Sequence, residues 1–203
     1  MNMQTNKITL TEDEKDVLQE LMNIAYGSAT AVVADMLDAF ASLSIPNIQV
    51  LTMHELFETF DKLKNSSYFF ATQAFSGEFN GESAFFINDE SAQNLAKHLE
   101  IESKEDLDDA ILELTNVLTS SLTTQLAAEM ESEVTFSLPS IFKIPLQEIE
   151  EVETFQLYSQ VIVIDTDLNF QDQKINGKIF ILTKDESIQW LKTKLNIILE
   201  QLI

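Results

Sequence analysis

The sequence lacks several residue types on which many enzymes depend. Among its 203 residues there is no cysteine and no arginine, and there are only two histidines. The missing cysteine excludes disulfides, thiolate nucleophiles and cysteine-based zinc or iron–sulfur sites. The missing arginine removes the side chain whose forked geometry best fits a phosphate. Because His54 and His98 are 44 residues apart with no neighbouring ligand pattern, we expect this chain to hold no metal ion.

Long apolar runs and positive charge are also scarce. No run approaches the roughly 20 residues that a membrane-spanning helix needs, and the start of the chain lacks the basic-then-apolar order of a signal peptide. We therefore expect a cytoplasmic protein. The 34 acidic residues against 12 lysines give a net charge of −22, which repels nucleic acid and anionic lipid and attracts basic partners. We expect neither a nucleic acid nor a membrane as a partner.

What the sequence does contain is an internal repeat. Sliding residues 10–46 onto 103–139 pairs 37 positions without a gap, and eleven of the pairs are identical. After an insertion of three residues, 80–99 aligns with 176–195. No flexible linker separates the copies. We therefore expect residues 1–203 to form a single domain made of two repeats, at about 10–100 and 103–203.

Each repeat is predicted to contain a long helix, three strands and a closing helix. Capping-box patterns start the long helices at Thr11–Glu14 and Ser103–Asp106. Asp89 and Asp185 are expected to cap closing helices that end near 100 and 202. The predicted strands are 45–53, 68–76 and 82–88 in the first repeat, and about 134–144, 155–170 and 177–183 in the second.

The spacing of apolar and small residues predicts which face of each long helix meets the core. The predicted core-facing positions are Val17, Leu21, Ile24, Ser28 and Ala31 in the first helix, and Ala110, Leu114, Val117, Ser121 and Thr124 in the second. Pairing the repeats edge to edge would cover open strand edges. The predicted fold class is α+β, a pseudo-twofold duplicated α-β3-α unit that forms one mostly antiparallel six-stranded sheet packed with helices.

A spaced set of polar residues is intact in both repeats. The first copy reads Asp16-x3-Glu20-x2-Asn23-x22-Pro46, and the second reads Asp109-x3-Glu113-x2-Asn116-x22-Pro139. Positions i, i+4 and i+7 lie along one helix face, so acid, acid and amide form a polar row. Taken singly, each side chain fits a solvated helix face, and each proline fits the start of a strand. The repeats differ at 26 of the 37 aligned positions, which favours a functional role for the set that survives in both.

A glutamate and an asparagine three residues apart suit a particular chemistry. A carboxylate can pair with a partner's ammonium group, and a carboxamide can both donate to and accept from a water molecule. The amide can thus hold water for in-line attack without a shifted pKa, as the water-orienting glutamine of GTPases does. Because this chain lacks arginine and a metal cluster, a partner with its own Mg²⁺, lysine and phosphoryl group would supply what is missing.

The doubled pattern resembles that of the CheC/CheX/FliY phosphatases of bacterial chemotaxis, which remove phosphate from the aspartyl-phosphate of CheY-type response regulators. The resemblance runs from Thr11 to the C-terminus and includes ELMNIAYGSATAV and the hairpin SGEFNGESAFFI. It implies that the asparagines orient the attacking water and that the glutamates pair with the regulator's lysine. It also implies that the aspartates lie at the edge of the contact and that the prolines shape the helix-to-strand corner. By motif position these residues are Asn23 and Asn116, Glu20 and Glu113, Asp16 and Asp109, and Pro46 and Pro139.

Two intact rows in one chain resemble the CheC type, whereas the CheX type keeps one per subunit and dimerises. We therefore expect a competent monomer. FliY-type members carry a further flagellar-switch domain after this unit, which favours CheC over FliY. The family favours glycine at Gly27, and the second repeat has Ser120 there, so the second row is expected to be slower if the partner needs a bare backbone. The resemblance implies no cofactor on this chain and Mg²⁺ on the regulator.

Two other classes of function remain open at this stage. The chain could act as an adaptor that binds phosphorylated regulator or the receptor deamidase CheD without turnover. It could also be a glycosidase with Glu20 and Glu113 as acid and base. The glycosidase interpretation leaves both asparagines unexplained, and Trp190, the single tryptophan, offers little aromatic surface for a sugar.

Overall fold

The computed structural model describes residues 8–61, 68–142, 160–170, 172–183 and 185–201. Within these ranges the chain forms five helices and eight strands. In chain order they are α1 (Glu12–Leu37), β1 (Ser42–Leu43), β2 (Asn47–Thr52), α2 (Met53–Asp61), β3 (Tyr68–Gly77), β4 (Gly81–Asn88), α3 (Asp89–His98), α4 (Lys104–Glu129), β5 (Val134–Phe136), β6 (Ser140–Phe142), β7 (Gln160–Phe170), β8 (Ile175–Thr183) and α5 (Asp185–Gln201).

The two long helices begin at the predicted residues. Thr11 and Glu14 form a reciprocal capping box, in which the Thr11 N–H donates to the Glu14 carboxylate at 2.8 Å. Ser103 caps α4 by accepting from the Asp106 N–H at 3.0 Å. In this second cap the Asp106 carboxylate accepts a hydrogen bond from the Ser103 hydroxyl at 2.7 Å.

The described strands form one sheet with six strand positions, because each outer position is filled by two short strands. The order across the sheet is β1 and β2, then β7, β8, β4, β3, and finally β5 and β6. Every pairing in it is antiparallel. β4 and β8 join the two halves of the chain at the centre, from Gly81 opposite Thr183 to Ile87 opposite Gly177. The predicted α+β class with a six-stranded antiparallel sheet is confirmed.

The first strand of each half pairs with the other half. β2 lies against β7, with Ile48 opposite Ile164, and β6 lies against β3, with Ile141 opposite Ala71. The strand lengths and turn signals of the sequence do not predict this exchange. Its consequence is that the strand beside each helix-to-strand corner comes from the other half of the chain.

The sequence predicted continuous strands over 45–53 and 134–144. The first corresponds to β2, which the short β1 precedes, and the second is divided into β5 and β6. Residues 143–144 lie outside the described residues. The breaks fall at 44–46 and 137–139, and each ends in a proline, which has no N–H for the ladder. Serine bridges both breaks. The Ser44 hydroxyl accepts the Asp167 N–H at 2.9 Å, and the Ser137 hydroxyl accepts the Ala74 N–H at 3.2 Å.

The closing helices differ from the prediction at their starts. Asn88 caps α3 by accepting the Ser91 N–H at 2.7 Å, and Asp89 is the first helical residue instead of the cap. An asparagine serves equally well here, and Asp89 is then placed favourably in the first turn. α5 begins at Asp185, and the position before it lies outside the described residues. Residues 155–159 of the strand predicted over about 155–170 also lie outside them.

Helix α2 was not predicted, although a signal for it exists. The Thr52 N–H donates to the Glu55 carboxylate at 2.7 Å, and the Glu55 N–H donates back to the Thr52 hydroxyl at 3.3 Å. This is a capping box directly after a strand. The helix covers the second face of the sheet, where Leu56 is buried with Phe70, Phe86 and Phe180.

The core-facing side of the long helices is rotated from the predicted one. The buried residues of α1 are Glu14, Leu18, Leu21, Met22, Ala25, Tyr26, Ala29, Val33 and Leu37. Of the predicted positions, Leu21 is buried, whereas Ile24, Ser28 and Ala31 are exposed. In α4 Leu114 is likewise buried and Thr124 is exposed. The buried face of α1 carries Leu18, Met22, Tyr26, Val33 and Leu37 in addition to Leu21, and their combined apolar area exceeds that of the predicted stripe and sets the face that packs. The polar rows therefore turn outward.

Candidate functional site

The second repeat brings all four of its predicted residues to one place. We call Asp109, Glu113, Asn116 and Pro139 site two. The first three lie on α4, the proline lies in the break between β5 and β6, and all four line an open pocket of about 520 Å³. The remaining residues that line it are Gln73, Leu112, Phe136, Ser137 and Leu138.

A residue from the other half of the chain supports site two from behind. Gln73 lies on β3, is 2% exposed, and donates through Nε2 to Asn116 Oδ1 at 2.8 Å and to the Ser137 carbonyl oxygen at 2.9 Å. It thus ties the helix that carries Asn116 to the break that carries Pro139. Sequence reasoning missed Gln73. The available signal was a lone amide within the otherwise apolar or small-residue stretch 69–75.

The first repeat places its residues differently. We call Asp16, Glu20, Asn23 and Pro46 site one. The three α1 side chains are exposed and Pro46 is buried. Within the part of the chain that the structure describes, the Asn23 side chain makes no hydrogen bond. The row of site one is exposed on α1, and the row of site two lines a pocket.

The family-favoured glycine of site one is not required by the fold. A Cβ placed on Gly27 would meet no atom within 4 Å, so this chain has room for a side chain there. The matching Ser120 is half-buried, and its hydroxyl donates to the Val117 carbonyl oxygen at 3.3 Å. If glycine is required at this position, the requirement is imposed by a binding partner and not by the fold.

Each site also has a projecting aliphatic residue directly before its proline. Ile45 is 72% exposed and Leu138 is 89% exposed. In site one, Ile24 next to Asn23 is 44% exposed. Exposure of an aliphatic side chain to water is unfavourable, so covering it with a partner's surface stabilises the complex. Both sites therefore combine two carboxylates, one amide and an exposed aliphatic side chain.

The start of α1, which carries site one, is fixed to α5. The Glu14 carboxylate accepts from the Asn196 amide at 2.9 Å and from the Lys192 ammonium at 3.1 Å, in addition to the Thr11 N–H. Burial raises the pKa of Glu14, but the hydrogen bonds from Thr11, Lys192 and Asn196 outweigh it and hold the pKa below its ordinary value of 4.5. The charged carboxylate is thus part of the fold.

The structure does not support the glycosidase alternative, in which Glu20 and Glu113 act together as acid and base. Glu20 is not among the residues that line the pocket of Glu113.

Among the described residues, the two histidines do not form a metal site with each other. His54 forms an exposed pair with Glu58 at 3.5 Å, and His98 contacts the Leu37 carbonyl oxygen at 2.6 Å. Across the described ranges, no group of three acidic, cysteine or histidine side chains is arranged to hold a metal ion.

No helix within the described part of the chain is long and apolar enough to cross a membrane.

Among curated proteins, none is significantly similar to this sequence. A sequence model of the family described as "Chemotaxis phosphatase CheX" matches residues 69–164, just under half of the chain. That range contains Gln73 and all four residues of site two, and it excludes α1 and site one.

Solved structures that share the fold include the following three. FliY from Thermotoga maritima has a TM-score of 0.72 at 15% identity, over 93% of this chain and 98% of that one. The FliM middle domain from H. pylori has a TM-score of 0.61 at 11% identity, over 91% and 99%. CheX in the CheX-CheY-BeF3-Mg²⁺ complex from Borrelia burgdorferi has a TM-score of 0.55 at 15% identity, over 82% and 97%. Since the FliY chain is matched over nearly its whole length, these likenesses do not separate the CheC type from FliY, and the CheC type stays a prediction.

Proposed function

We propose that the chain belongs to the CheC/CheX/FliY family, a proposal supported by the CheX match over residues 69–164 and the shared fold, and that it hydrolyses the aspartyl-phosphate of a CheY-type response regulator in the cytoplasm. In this proposal Asn116 and Asn23 orient the attacking water. Glu113 and Glu20 pair with the lysine of the regulator's active site. Because one chain carries both sites, a monomer is competent.

The observation that carries the proposal is the convergence at site two. Asp109, Glu113 and Asn116 share an open pocket with Pro139, although 22 residues separate the asparagine from the proline in sequence. The pocket has an acidic wall from α4 and an apolar wall that includes Phe136 and Leu138. A protein surface that offers a lysine beside apolar side chains fits both walls.

The chemistry asks for little from this chain. The water oxygen attacks phosphorus, the bond between phosphorus and the aspartyl oxygen breaks, and the aspartate leaves as a carboxylate while phosphate takes up the water proton. The carboxamide of Asn116 accepts from and donates to that water, which fixes its direction of attack. Mg²⁺ on the regulator would supply the charge stabilisation that this arginine-free chain lacks. Positioning is then the contribution of the asparagine.

Electrostatic attraction favours the approach of the partner. The net charge of −22 and the carboxylates of both sites attract a regulator face that presents lysine. Leu138 lines the pocket of site two, Ile45 directly precedes Pro46 of site one, and in this proposal both side chains lose their exposure when the regulator docks. We propose that they contribute to binding and not to the chemical step.

The test is phosphate release from a panel of Mg²⁺-loaded, phosphorylated CheY-type regulators, with this chain at substoichiometric concentration. Wild type is expected to accelerate release over many turnovers, and the Asn23→Ala/Asn116→Ala double variant is expected to be inactive. Asn94→Ala, which replaces an asparagine of α3 that donates to the Lys174 carbonyl oxygen, is the matched control and should keep full activity. Binding without acceleration for every regulator that binds would contradict the proposal and favour the adaptor alternative.

A further inference from the structure

We infer that Gln73 is a positioning residue that sets the carboxamide of Asn116 before the partner arrives, so that the two sites act with unequal efficiency. This inference rests on the proposed function and deepens it. Gln73 takes no part in the reaction by contact with the water. It acts through Asn116, whose orientation it determines.

The hydrogen bonds fix the identity of every atom in the contact. The Ser137 carbonyl oxygen can only accept, so the Gln73 atom 2.9 Å from it must be the NH₂ group. The second hydrogen of that group points to Asn116 at 2.8 Å, so Asn116 must present its oxygen there. The Asn116 NH₂ group and the remaining lone pair of its oxygen are then left for a water in the pocket that Asn116 lines.

Gln73 is a rigid support for this contact. It sits in the middle of β3, opposite Ser83 of β4, and its neighbours on the same face, Ala71 and Phe75, are buried in the core. A buried side chain on an inner strand loses its freedom when the protein folds, and not when the partner binds. A terminal amide torsion is otherwise broad, with two nearly equivalent orientations. Holding one of them in advance removes an ordering cost from the catalytic step.

Among the described residues, no side chain holds the Asn23 amide as Gln73 holds that of Asn116. The backbone contact from Ser137 N to the Ala74 carbonyl oxygen has its counterpart 93 residues away, from Ser44 N to the Asp167 carbonyl oxygen. The position equivalent to Gln73 is therefore Thr166 on β7. Asn23 is exposed and, among the described residues, has no hydrogen-bond partner.

The test measures Gln73→Met separately at each site. In an Asn23→Ala background, where only site two is intact, the variant is expected to lower kcat about tenfold with KM changed less than twofold. In an Asn116→Ala background, where only site one is intact, the same substitution should leave kcat unchanged. Methionine keeps the length of the side chain, and it also removes the Gln73 oxygen, which has no partner among the described residues. Thr72→Val, on the opposite face of the same strand, is the control for strand packing.

A second measurement does not depend on turnover. In ¹⁵N-labelled protein, the side-chain amide signals of Asn116, identified by their loss in Asn116→Ala, should move in Gln73→Met towards the positions of the exposed Asn23 amide. An equal fall of kcat at both sites would show a general structural role and overturn the inference, as would an unchanged kcat at site two. If no regulator is dephosphorylated, the proposed function fails, and unmoved Asn116 signals would still overturn the inference on their own.

Discussion

Site one and site two carry the same four residue types at the same spacing, yet the structure surrounds them differently. Asn116 lines a pocket and is held by Gln73, whereas Asn23 lies on an open helix face. The motif residues match between the repeats, but among the described residues only Asn116 has a side-chain partner, Gln73. Matching motifs therefore do not guarantee matching sites.

The largest expected effect comes from removing the amide donor while keeping the shape. Asn116→Asp in an Asn23→Ala background can still accept from Gln73, but it cannot donate to the water and adds a negative charge beside the phosphoryl group. We expect kcat to fall about 100-fold. Asn23→Asp in an Asn116→Ala background should fall to the same floor. Phosphate release at saturating regulator measures both, and an Asn116→Asp variant with near-normal kcat would show that water donation is not needed.

The next effect concerns binding. Leu138→Asp places a charge on the most exposed aliphatic side chain beside site two, and it should raise KM about tenfold with little change in kcat, because a covered leucine contributes roughly 1.5–3 kcal/mol. Ile45→Asp should do the same for site one alone. Exposed Ile197 on α5 provides the control, since Ile197→Asp should leave KM unchanged. A kcat effect without a KM effect at Leu138 would remove it from the docking surface.

A third difference lies in how the two long helices start. Glu14 is bonded to α5 as well as to its own cap, whereas Asp106 bonds only at its own cap in the contacts described here. Glu14→Gln should therefore lower the free energy of unfolding by about 1–2 kcal/mol, and Asp106→Asn by less than about 1 kcal/mol. Denaturant titration at pH 7 measures both, and equal losses would contradict the difference.

The same contact predicts a pH dependence. The pKa of Glu14 is lower in the folded protein than its ordinary value of 4.5, so its stabilisation is complete above that value. It is lost as the pH falls through the lowered pKa, where the folded state must also take up the proton. Between pH 7 and pH 3 the difference in unfolding free energy between wild type and Glu14→Gln should therefore shrink. A constant difference would show that the charge of Glu14 is not what stabilises the fold.

The smallest effect is expected at the glycine that distinguishes the helices. Because a Cβ at Gly27 meets nothing within 4 Å, Gly27→Ser should fold normally and change the KM of site one by only about twofold, as for most surface substitutions. A much larger rise would show that the regulator approaches the bare backbone there. In that case the expectation that Ser120 slows site two gains support.

Much of this architecture can be predicted from the sequence because it depends on local signals. The Thr11 and Ser103 caps, the hairpin glycines and the repeat itself lead to the right fold class. The exchange of first strands depends on pairing between distant segments, which no local pattern reports. The outward turn of Ile24 was missed for a similar reason, since Leu18, Met22 and Ala25 offered a competing apolar face that only packing against α4 and the sheet selects.

The candidate site was likewise only partly predictable from the sequence. The spacing of Asp109, Glu113 and Asn116 predicts a row on one helix face, and the structure places that row on the wall of a pocket. Gln73 could not be assigned to it, because 43 residues separate Gln73 from Asn116 and only the folded sheet and helix bring them together. A single polar residue in an apolar strand is equally typical of an amide that only satisfies nearby backbone groups.

The most direct test of the account compares each site working alone on the same phosphorylated regulator. Asn23→Ala leaves site two and Asn116→Ala leaves site one, so their kcat values report the two sites separately. Site two, with its amide already set by Gln73, is expected to turn over about tenfold faster, and Gln73→Met is expected to reduce its kcat to about that of site one. Equal rates, or a faster site one, would contradict the claim that the support behind the motif decides its efficiency.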